Sequence, residues 1–258
     1  MKKIRTAIIL CGGKGTRLGL LGKKIPKTMV KIHGREILWY IINILKKNNF
    51  NHLILPLGYK GNKIRNFFKK NKKIFDKVDL VDTGLNSNIG KRISLVLKKI
   101  KSENFLLLNG DAIFDFNLEK KFSDHLYKNK DITFISGEIT YPYGTIGMIG
   151  SKVIDFKRNL VYESLKTRTR KSYIAYNYTG MSIIKTSILK KHKNKFKRSS
   201  NFEKDLFPIF VKKYNTCLIK LDGFWHSIDN VKDIEAINDK KSSGEKYTKL
   251  SKLKKNFL

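Results

Sequence analysis

Gly12, Gly13 and Gly15, with the cations Lys14, Arg17 and Lys27, stand at a spacing suited to gripping phosphate. Gly12-Gly13-Lys14-Gly15-Thr16-Arg17-Leu18 follows the apolar run Ala7-Ile8-Ile9-Leu10-Cys11, and Ile25-Pro26-Lys27 lies just beyond. A short apolar strand that stops at paired glycines delivers a loop to the sheet edge where α/β proteins bind ligands. Gly12, Gly13 and Gly15 permit positive φ and let bare N–H groups approach an anion. Lys14, Arg17 and Lys27 add charge at the same place, although a lysine such as Lys14 is as readily a solvated surface residue. The pattern is not a Walker loop, because no glycine here is followed by Lys-Ser or Lys-Thr at the required distance; Gly22 precedes Lys23-Lys24. A dinucleotide fingerprint fails as well, since its third glycine would stand where Leu18 does. The bland alternative is a turn that merely joins strand to helix, which leaves the neighbouring cations unused.

Two acids stand in comparable places. Asp111 follows the apolar run Phe105–Leu108 and Asn109-Gly110, and Asp229 follows Gly223-Phe224-Trp225 just ahead of an apparent helix. Two carboxylates brought together beside a triphosphate make an oxygen-ligand site suited to Mg²⁺, which shares its shell with phosphates. Asp111 could instead be a turn residue, and Asp229 could cap the helix near Val231. His33, His52, His125, His192 and His226 are scattered without ligand spacing, and none is assigned a catalytic role.

Gly-Gly-Lys-Gly-Thr-Arg-Leu followed by Ile-Pro-Lys-Thr-Met resembles the signature of the sugar-1-phosphate nucleotidyltransferases, the nucleotide-sugar pyrophosphorylases. Further segments are similar to the glucose-1-phosphate cytidylyltransferase branch: Ile37-Leu38-Trp39, Gly58-Tyr59-Lys60-Gly61, Leu80-Val81-Asp82-Thr83-Gly84, Asn109-Gly110-Asp111 and Gly223 to Asp229. The resemblance implies a Mg²⁺-dependent enzyme, with CTP as donor and a phosphorylated acceptor, a sugar 1-phosphate by analogy. It implies metal binding by Asp111 and Asp229, and phosphate chemistry by Arg17 and Lys27. It implies nucleotide contacts from Leu10, Gly12, Gly13, Gly15, Thr16, Arg17, Thr83, Gly84, Gly90, Arg92 and Gly110. For Thr83, Gly84, Gly90 and Arg92 an ordinary strand-to-helix loop, with Asn88 and Gly90 as cap residues, is an equal alternative. Acceptor contacts are implied at Gly144, Thr145, Thr179 and Gly180.

One departure bears on the acceptor. Where the family has Glu-Lys-Pro at a strand end, this chain reads Glu163-Ser164-Leu165-Lys166. Glu163 carries over as an acceptor contact, whereas the lysine is missing from its usual place. Lys166, Arg168 or Arg170 could replace it, so the acceptor could be another sugar phosphate or a phosphorylated compound that is not a sugar. GTP, UTP or dTTP as donor, and a basic nucleic-acid-binding protein without catalysis, are the competing readings. The last explains a net charge of +34 but leaves Asp111, Asp229 and the glycine loop without purpose. No nucleic-acid module accompanies the spread basic residues, so the charge is read as solvated surface and nucleic acid is not expected as a partner.

The elements that must position these groups follow from periodicity. Apolar runs at 53–55 and 105–108 read as strands, the first buried and ended by Pro56 and Gly58, and residues 78–81 read as a further strand between them. Helical spacing runs through Glu36–Lys47, a short segment at Ile64–Phe68, and Gly90–Lys101. Strands alternating with helices imply a mixed, mostly parallel central sheet flanked by helices; the resemblance implies that this sheet is the Rossmann-like, GT-A type nucleotidyltransferase fold. Beyond Asp111 the rhythm changes to strands at 132–139, 145–149, 153–156 and 161–165, a small β-rich acceptor-side region. Helices are expected at 187–194, 201–213 and 231–238, with a strand at 217–221. A length of 258 residues allows one substantial core or two small ones. Residues 1–239 read as one domain, and 240–258, with seven lysines and one glutamate, as a loose or partly disordered basic tail. Cys11 and Cys217 read as free thiols of a reducing compartment. The first apolar run is too short for a signal peptide, and no stretch approaches the roughly 18 apolar residues of a membrane span. A cytoplasmic enzyme, able to form homo-oligomers, is expected.

Overall fold

The computed structural model describes residues 5–167, 173–196 and 201–258. The chain opens with β1 (Thr6–Leu10), α1 (Gly19–Lys24), the short ladder of β2 (Lys31–Ile32) and β3 (Arg35–Glu36), and α2 (Ile37–Lys47). There follow β4 (His52–Leu57), α3 (Gly61–Lys70), β5 (Lys77–Asp82), α4 (Ile89–Val96), β6 (Asn104–Asn109), β7 (Ala112–Asp115) and α5 (Leu118–Tyr127). The second half contains β8 (Ile132–Ser136), β9 (Ile139–Ile149), β10 (Lys152–Tyr162), β11 (Ser164–Lys166), β12 (Ile174–Tyr176), β13 (Tyr178–Lys185), α6 (Thr186–Lys191) and α7 (Phe207–Lys213). It closes with β14 (Thr216–Lys220), β15 (Phe224–Ser227), α8 (Val231–Asn238), α9 (Lys240–Ser243) and α10 (Glu245–Lys255).

Seven strands form one sheet in the order β14-β8-β13-β6-β1-β4-β5. Pairings of β1 with β4 and β6, of β4 with β5 and of β14 with β8 are parallel, and only β13 runs against its neighbours. Alternation along each central strand feeds two cores. Ala7, Ile9, Leu53, Leu55, Leu106 and Leu108 face α2, whereas Ile8, Ile54, Phe105 and Leu107 face α4, α6 and α7. Burial on both faces is why these strands read as continuous apolar runs.

Several expectations change in detail. Pro56 lies inside β4 instead of ending it, because the ladder to β1 stops at Ile54 and needs no donor further along. The helix expected over 90–101 stops at Val96, followed by one 3₁₀ turn at Leu97–Lys99. The strand expected over 132–139 breaks after Ser136, the pieces expected at 145–149 and 153–156 merge into a hairpin of β9 and β10, and the piece expected at 161–165 is split between the end of β10 and the start of β11. Bulges near Ile154 and Asn159 absorb the residues that looked like breaks. The basic tail is not loose: Leu250 and Leu253 are fully buried, Phe257 meets Trp39 edge-on, and Lys254 Nζ donates to the His33 carbonyl at 2.8 Å. Two leucines three apart suffice to seat a helix whose lysines stay solvated.

His125 gives the fold a pH dependence. Its ring is buried between Thr133 Oγ1 (2.8 Å) and Asn104 Oδ1 (3.0 Å), and burial, reinforced by the charge of Lys185, pushes its pKa from 6.5 down to about 4. Between those values the unfolded chain binds a proton that the native chain refuses, so stability falls as pH drops through that window. At about 1.4 kcal/mol per pKa unit the loss approaches about 3 kcal/mol by the lower end. Thermal melting followed against pH is expected to fall more steeply for the wild type than for His125→Gln. Parallel profiles would remove His125 as the cause.

Candidate active site

The loop after β1 is shaped by close approaches more than by unusual dihedrals. Only Gly15 of the three predicted glycines has positive φ, at 61°. Gly12 is required for space, since a Cβ there would lie 2.4 Å from the guanidinium of Arg92. A Cβ at Gly13 would meet nothing within 4 Å. Leu18, fully buried, anchors the single 3₁₀ turn Thr16–Leu18, and α1 presses on the loop so closely that a Cβ at Gly22 would lie 2.4 Å from the Gly15 carbonyl oxygen. Arg17 is left pointing outward, its side chain 76% exposed.

The two acids arrive from separate strands. The amide of Gly110 donates to the Leu10 carbonyl at 3.0 Å, fixing Asp111 beside the loop. The antiparallel pair of β7 and β15 continues into an Ile228 amide bond to the Asp111 carbonyl at 2.8 Å, which brings Asp229 alongside. Lys27 Nζ sits between them, 3.1 Å from Asp111 Oδ2 and 3.0 Å from Asp229 Oδ1, and Arg17 Nη1 lies 3.3 Å from the same Asp229 oxygen. Burial alone would lower the Lys27 pKa, but the charge of Asp111 and hydrogen bonds to both acids outweigh it and raise it. For Asp229 burial works upward and is overcome by Lys27, which holds the carboxyl below its usual range. Asp233 positions Asp229 from behind: its Oδ2 accepts the amides of Asp229 (2.7 Å) and Asn230 (2.9 Å) in a capping box at the start of α8. Asp229 is thus not the cap, a role that belongs to Asn230.

A cavity of about 460 Å³ opens at this edge of the sheet. Of the predicted residues, Leu10, Gly12, Gly13, Gly15, Lys27, Arg92, Gly110 and Asp111 line it, and Gly15, Thr16, Arg17 and Lys27 line a smaller adjoining hollow. Thr83, Gly84 and Gly90 do not line the cavity. Thr83 is buried behind it, its hydroxyl donating to the Leu57 carbonyl at 2.6 Å and accepting from Arg92 Nη1 at 2.6 Å. Arg92 itself is buried, and among the described residues no carboxylate pairs with it. Gly84, at φ 83°, turns the chain out of β5, and Gly90 lies buried at the start of α4.

The acceptor-side residues divide. Gly180 (φ 78°) packs so tightly on Asn109 that a Cβ would lie 2.4 Å from its amide nitrogen, and Asn109 lines the main cavity. Thr179 is buried and donates to the Ile135 carbonyl at 2.7 Å, holding β13 on β8. Gly144 and Thr145 lie on the β9–β10 hairpin. Glu163 lines a separate hollow of about 150 Å³, paired with Lys220 Nζ at 2.6 Å, while Lys166 is exposed on β11. Arg168 and Arg170 lie outside the described residues.

Sequence reasoning did not single out Thr28, Ser87, Ile89, Asn109 or Asn201 as cavity walls. Asn109 stood in a quoted motif, and Thr28 follows Lys27 directly. Thr28 Oγ1 is buried at this wall with no hydrogen-bond partner among the described residues, a donor awaiting an acceptor. Glu203 was missed too; partial burial and the charge of Asp111 raise its pKa.

The acids fit a divalent cation. Asp111 Oδ2 and Asp229 Oδ1 already converge on one positive centre, the Lys27 ammonium, and both are hard oxygen donors. A mostly parallel sheet that presents a glycine loop, two cations and two converging acids at its strand ends defines an α/β protein built to handle nucleotide phosphates. Residues 6–243 match the family model described as nucleotidyl transferase, and the chain belongs to that family. It is a nucleotidyltransferase. The probable glucose-1-phosphate cytidylyltransferase of Bacillus subtilis (strain 168) is 27% identical over 95% of this chain and 99% of its own length. The bifunctional protein GlmU of Methanococcus aeolicus is 31% identical over 88% of this chain but only 52% of its own length. The crystal structure of HddC from Yersinia pseudotuberculosis complexed with GMP-PN superposes with a TM-score of 0.67 at 23% identity, covering 89% of this chain and 96% of that one. No helix among the described residues is long and apolar enough to cross a membrane.

Proposed function

We propose that this enzyme transfers CMP from CTP to the phosphate of a sugar 1-phosphate, releasing pyrophosphate, with Mg²⁺ as its metal. The supporting observation is the meeting of Lys27 with Asp111 and Asp229, at 3.1 and 3.0 Å, beside the glycine loop. An oxygen of the acceptor phosphate attacks the α-phosphorus of the triphosphate. The bond from that phosphorus to the α–β bridging oxygen breaks, and the electron pair leaves with pyrophosphate. Positioning and charge neutralisation are enough for such a displacement, and no protein nucleophile is needed. The loop amides from Gly12 to Thr16 grip the outer phosphates, Arg17 and Lys27 offset charge on the α-phosphate and leaving group, and the Thr28 hydroxyl adds a donor. Mg²⁺ held by Asp111 and Asp229 would supply further neutralisation of the phosphate oxygens. Acceptor contacts are assigned to Glu163, Gly144 and Thr145, with Gly180 acting through Asn109.

The choice of CTP draws on the cytidylyltransferase relative from Bacillus subtilis, which this chain spans almost end to end. GTP is the second reading, favoured by the GMP-PN bound to the similarly folded HddC. Pyrophosphate release measured with each of the four common triphosphates against a panel of sugar 1-phosphates and non-sugar phosphates separates them. Release is expected with CTP and a sugar 1-phosphate; release with GTP alone would replace the cytidylyl assignment, and release only with a non-sugar phosphate would replace the acceptor.

A further inference from the structure

Asn201 lines the main cavity, yet none of the chemistry above uses it. It opens a single π-turn, Phe202–Leu206, in which the Phe207 amide reaches back five residues to the Phe202 carbonyl. Single π-turns are rare and recur at functional sites. This one is firmly seated. Phe202 is fully buried, edge-on to Phe207 at 4.9 Å and stacked with Phe196 at 6.2 Å. The Asn201 amide donates to Asp205 Oδ2, and the Asp205 amide donates to the Asn201 carbonyl at 2.7 Å. The Asn201 side chain is fixed as well, because its Oδ1 accepts the amides of Glu203 and Lys204, both at 3.1 Å. One end of the carboxamide is thus held by the turn, and its two Nδ2 hydrogens face away from it. Among the described residues no acceptor meets them. The first amides of the turn are already satisfied by Oδ1, so what the segment offers a ligand is this side-chain donor.

The space beside it suits the uncharged half of a nucleotide. The main cavity, about 460 Å³, is twice the adjoining hollow of about 230 Å³ that Arg17 and Lys27 line. The outer phosphates belong in the hollow with those charges, which leaves the larger space to base and ribose. Leu10 and Ile89 give it apolar wall, and the Arg92 guanidinium there already donates to the Leu57 carbonyl and to Thr83 Oγ1. Glu163, Gly144 and Thr145, the assigned acceptor contacts, do not line it. Base and ribose carry carbonyl and hydroxyl oxygens without charge, and a fixed neutral donor is what orients such groups in a pocket. We propose that Asn201 is a nucleoside-binding residue: resting on the transferase function proposed above, the assignment has Nδ2 donate to an oxygen of the base or ribose of the bound triphosphate. Because the carboxamide is already anchored, little side-chain freedom is lost on binding.

Calorimetric titration of the full chain with Mg²⁺ and without acceptor compares CTP with pyrophosphate, which has no nucleoside; the triphosphate that binds tightest to the wild type replaces CTP if it is another. Asn201→Ser keeps an oxygen at the cap, where serine serves as well as asparagine, but removes the donor. It is expected to weaken CTP about three- to tenfold, the effect of one neutral hydrogen bond, and to leave pyrophosphate unchanged. Asn201→Asp also keeps the cap, replaces the donor with an acceptor, and is expected to weaken CTP more than Asn201→Ser does. An effect of Asn201→Ser that disappears with dCTP assigns the partner as the ribose 2′ oxygen, and one that persists assigns the base or another ribose oxygen; both uphold the contact. Equal weakening of CTP and pyrophosphate would reduce Asn201 to a structural cap, and unchanged CTP affinity in a folded Asn201→Ser would remove the contact. Either result overturns the proposal while the transferase reading stands. A wild type that binds pyrophosphate but none of the four common triphosphates would overturn both.

Discussion

Arg17→Ala is expected to cut kcat/KM for pyrophosphate release by about 10²- to 10³-fold, the usual effect of removing one donor aimed at charge that develops in a transition state. The same variant should melt with the wild type. Its guanidinium is 76% exposed and makes a single 3.3 Å contact with Asp229, an arrangement that contributes little to stability. That combination separates a chemical role from a structural one. A folded Arg17→Ala enzyme with wild-type turnover would remove the loop from the chemistry, leaving Lys27 as the only assigned cation.

Asp111→Asn should be more severe, with a loss of about 10³-fold or more in turnover. The amide keeps the shape of the side chain but gives up half of the dicarboxylate and leaves Lys27 leaning on Asp229 alone. Mn²⁺ binding followed by electron paramagnetic resonance should weaken in parallel, which reads the metal role independently of turnover. Some stability should also be lost, on the order of 1 kcal/mol, because the Lys27–Asp111 pair is partly buried yet keeps a second acid in place. Unimpaired turnover and Mn²⁺ binding in this variant would sink the metal assignment.

The parts of the fold legible in the sequence were those whose cause is local. Strands β1, β4 and β6 are buried on both faces, so each announces itself as an apolar run, and α8 starts and stops where periodicity places it. Pro56 misled because its tolerance depends on where the neighbouring ladder ends, which is a tertiary fact. The hairpin was seen only in pieces, since bulges let a strand continue through residues that look like turns. Burial of α10 rests on two leucines among lysines, too faint a pattern to outweigh composition. The loop, Lys27 and both acids could be named from motifs. That Lys27 would bridge acids 84 and 202 residues away could not, because β7 and β15 must pair before the acids meet. Thr83 illustrates the opposite error: a polar residue beside a glycine turn is spent on supporting Arg92.

The strand order also governs how the molecule can be assembled. β13 lies between β6 and β8, and β14 completes the far edge, so the middle of the sheet is closed by segments made late. While a ribosome extends the chain past Asn109, β6 has β1 on one flank and an open row of amides and carbonyls on the other. That row remains unpaired until residues 178–185 emerge, and Phe105 and Leu107 lack the cover of α6 and α7 until later still. Non-local pairing of this kind is slow and exposes strand edges in the interval. Heterologous expression at reduced temperature, or with chaperones that shield nascent chains, is the condition under which this protein should give the greatest soluble yield.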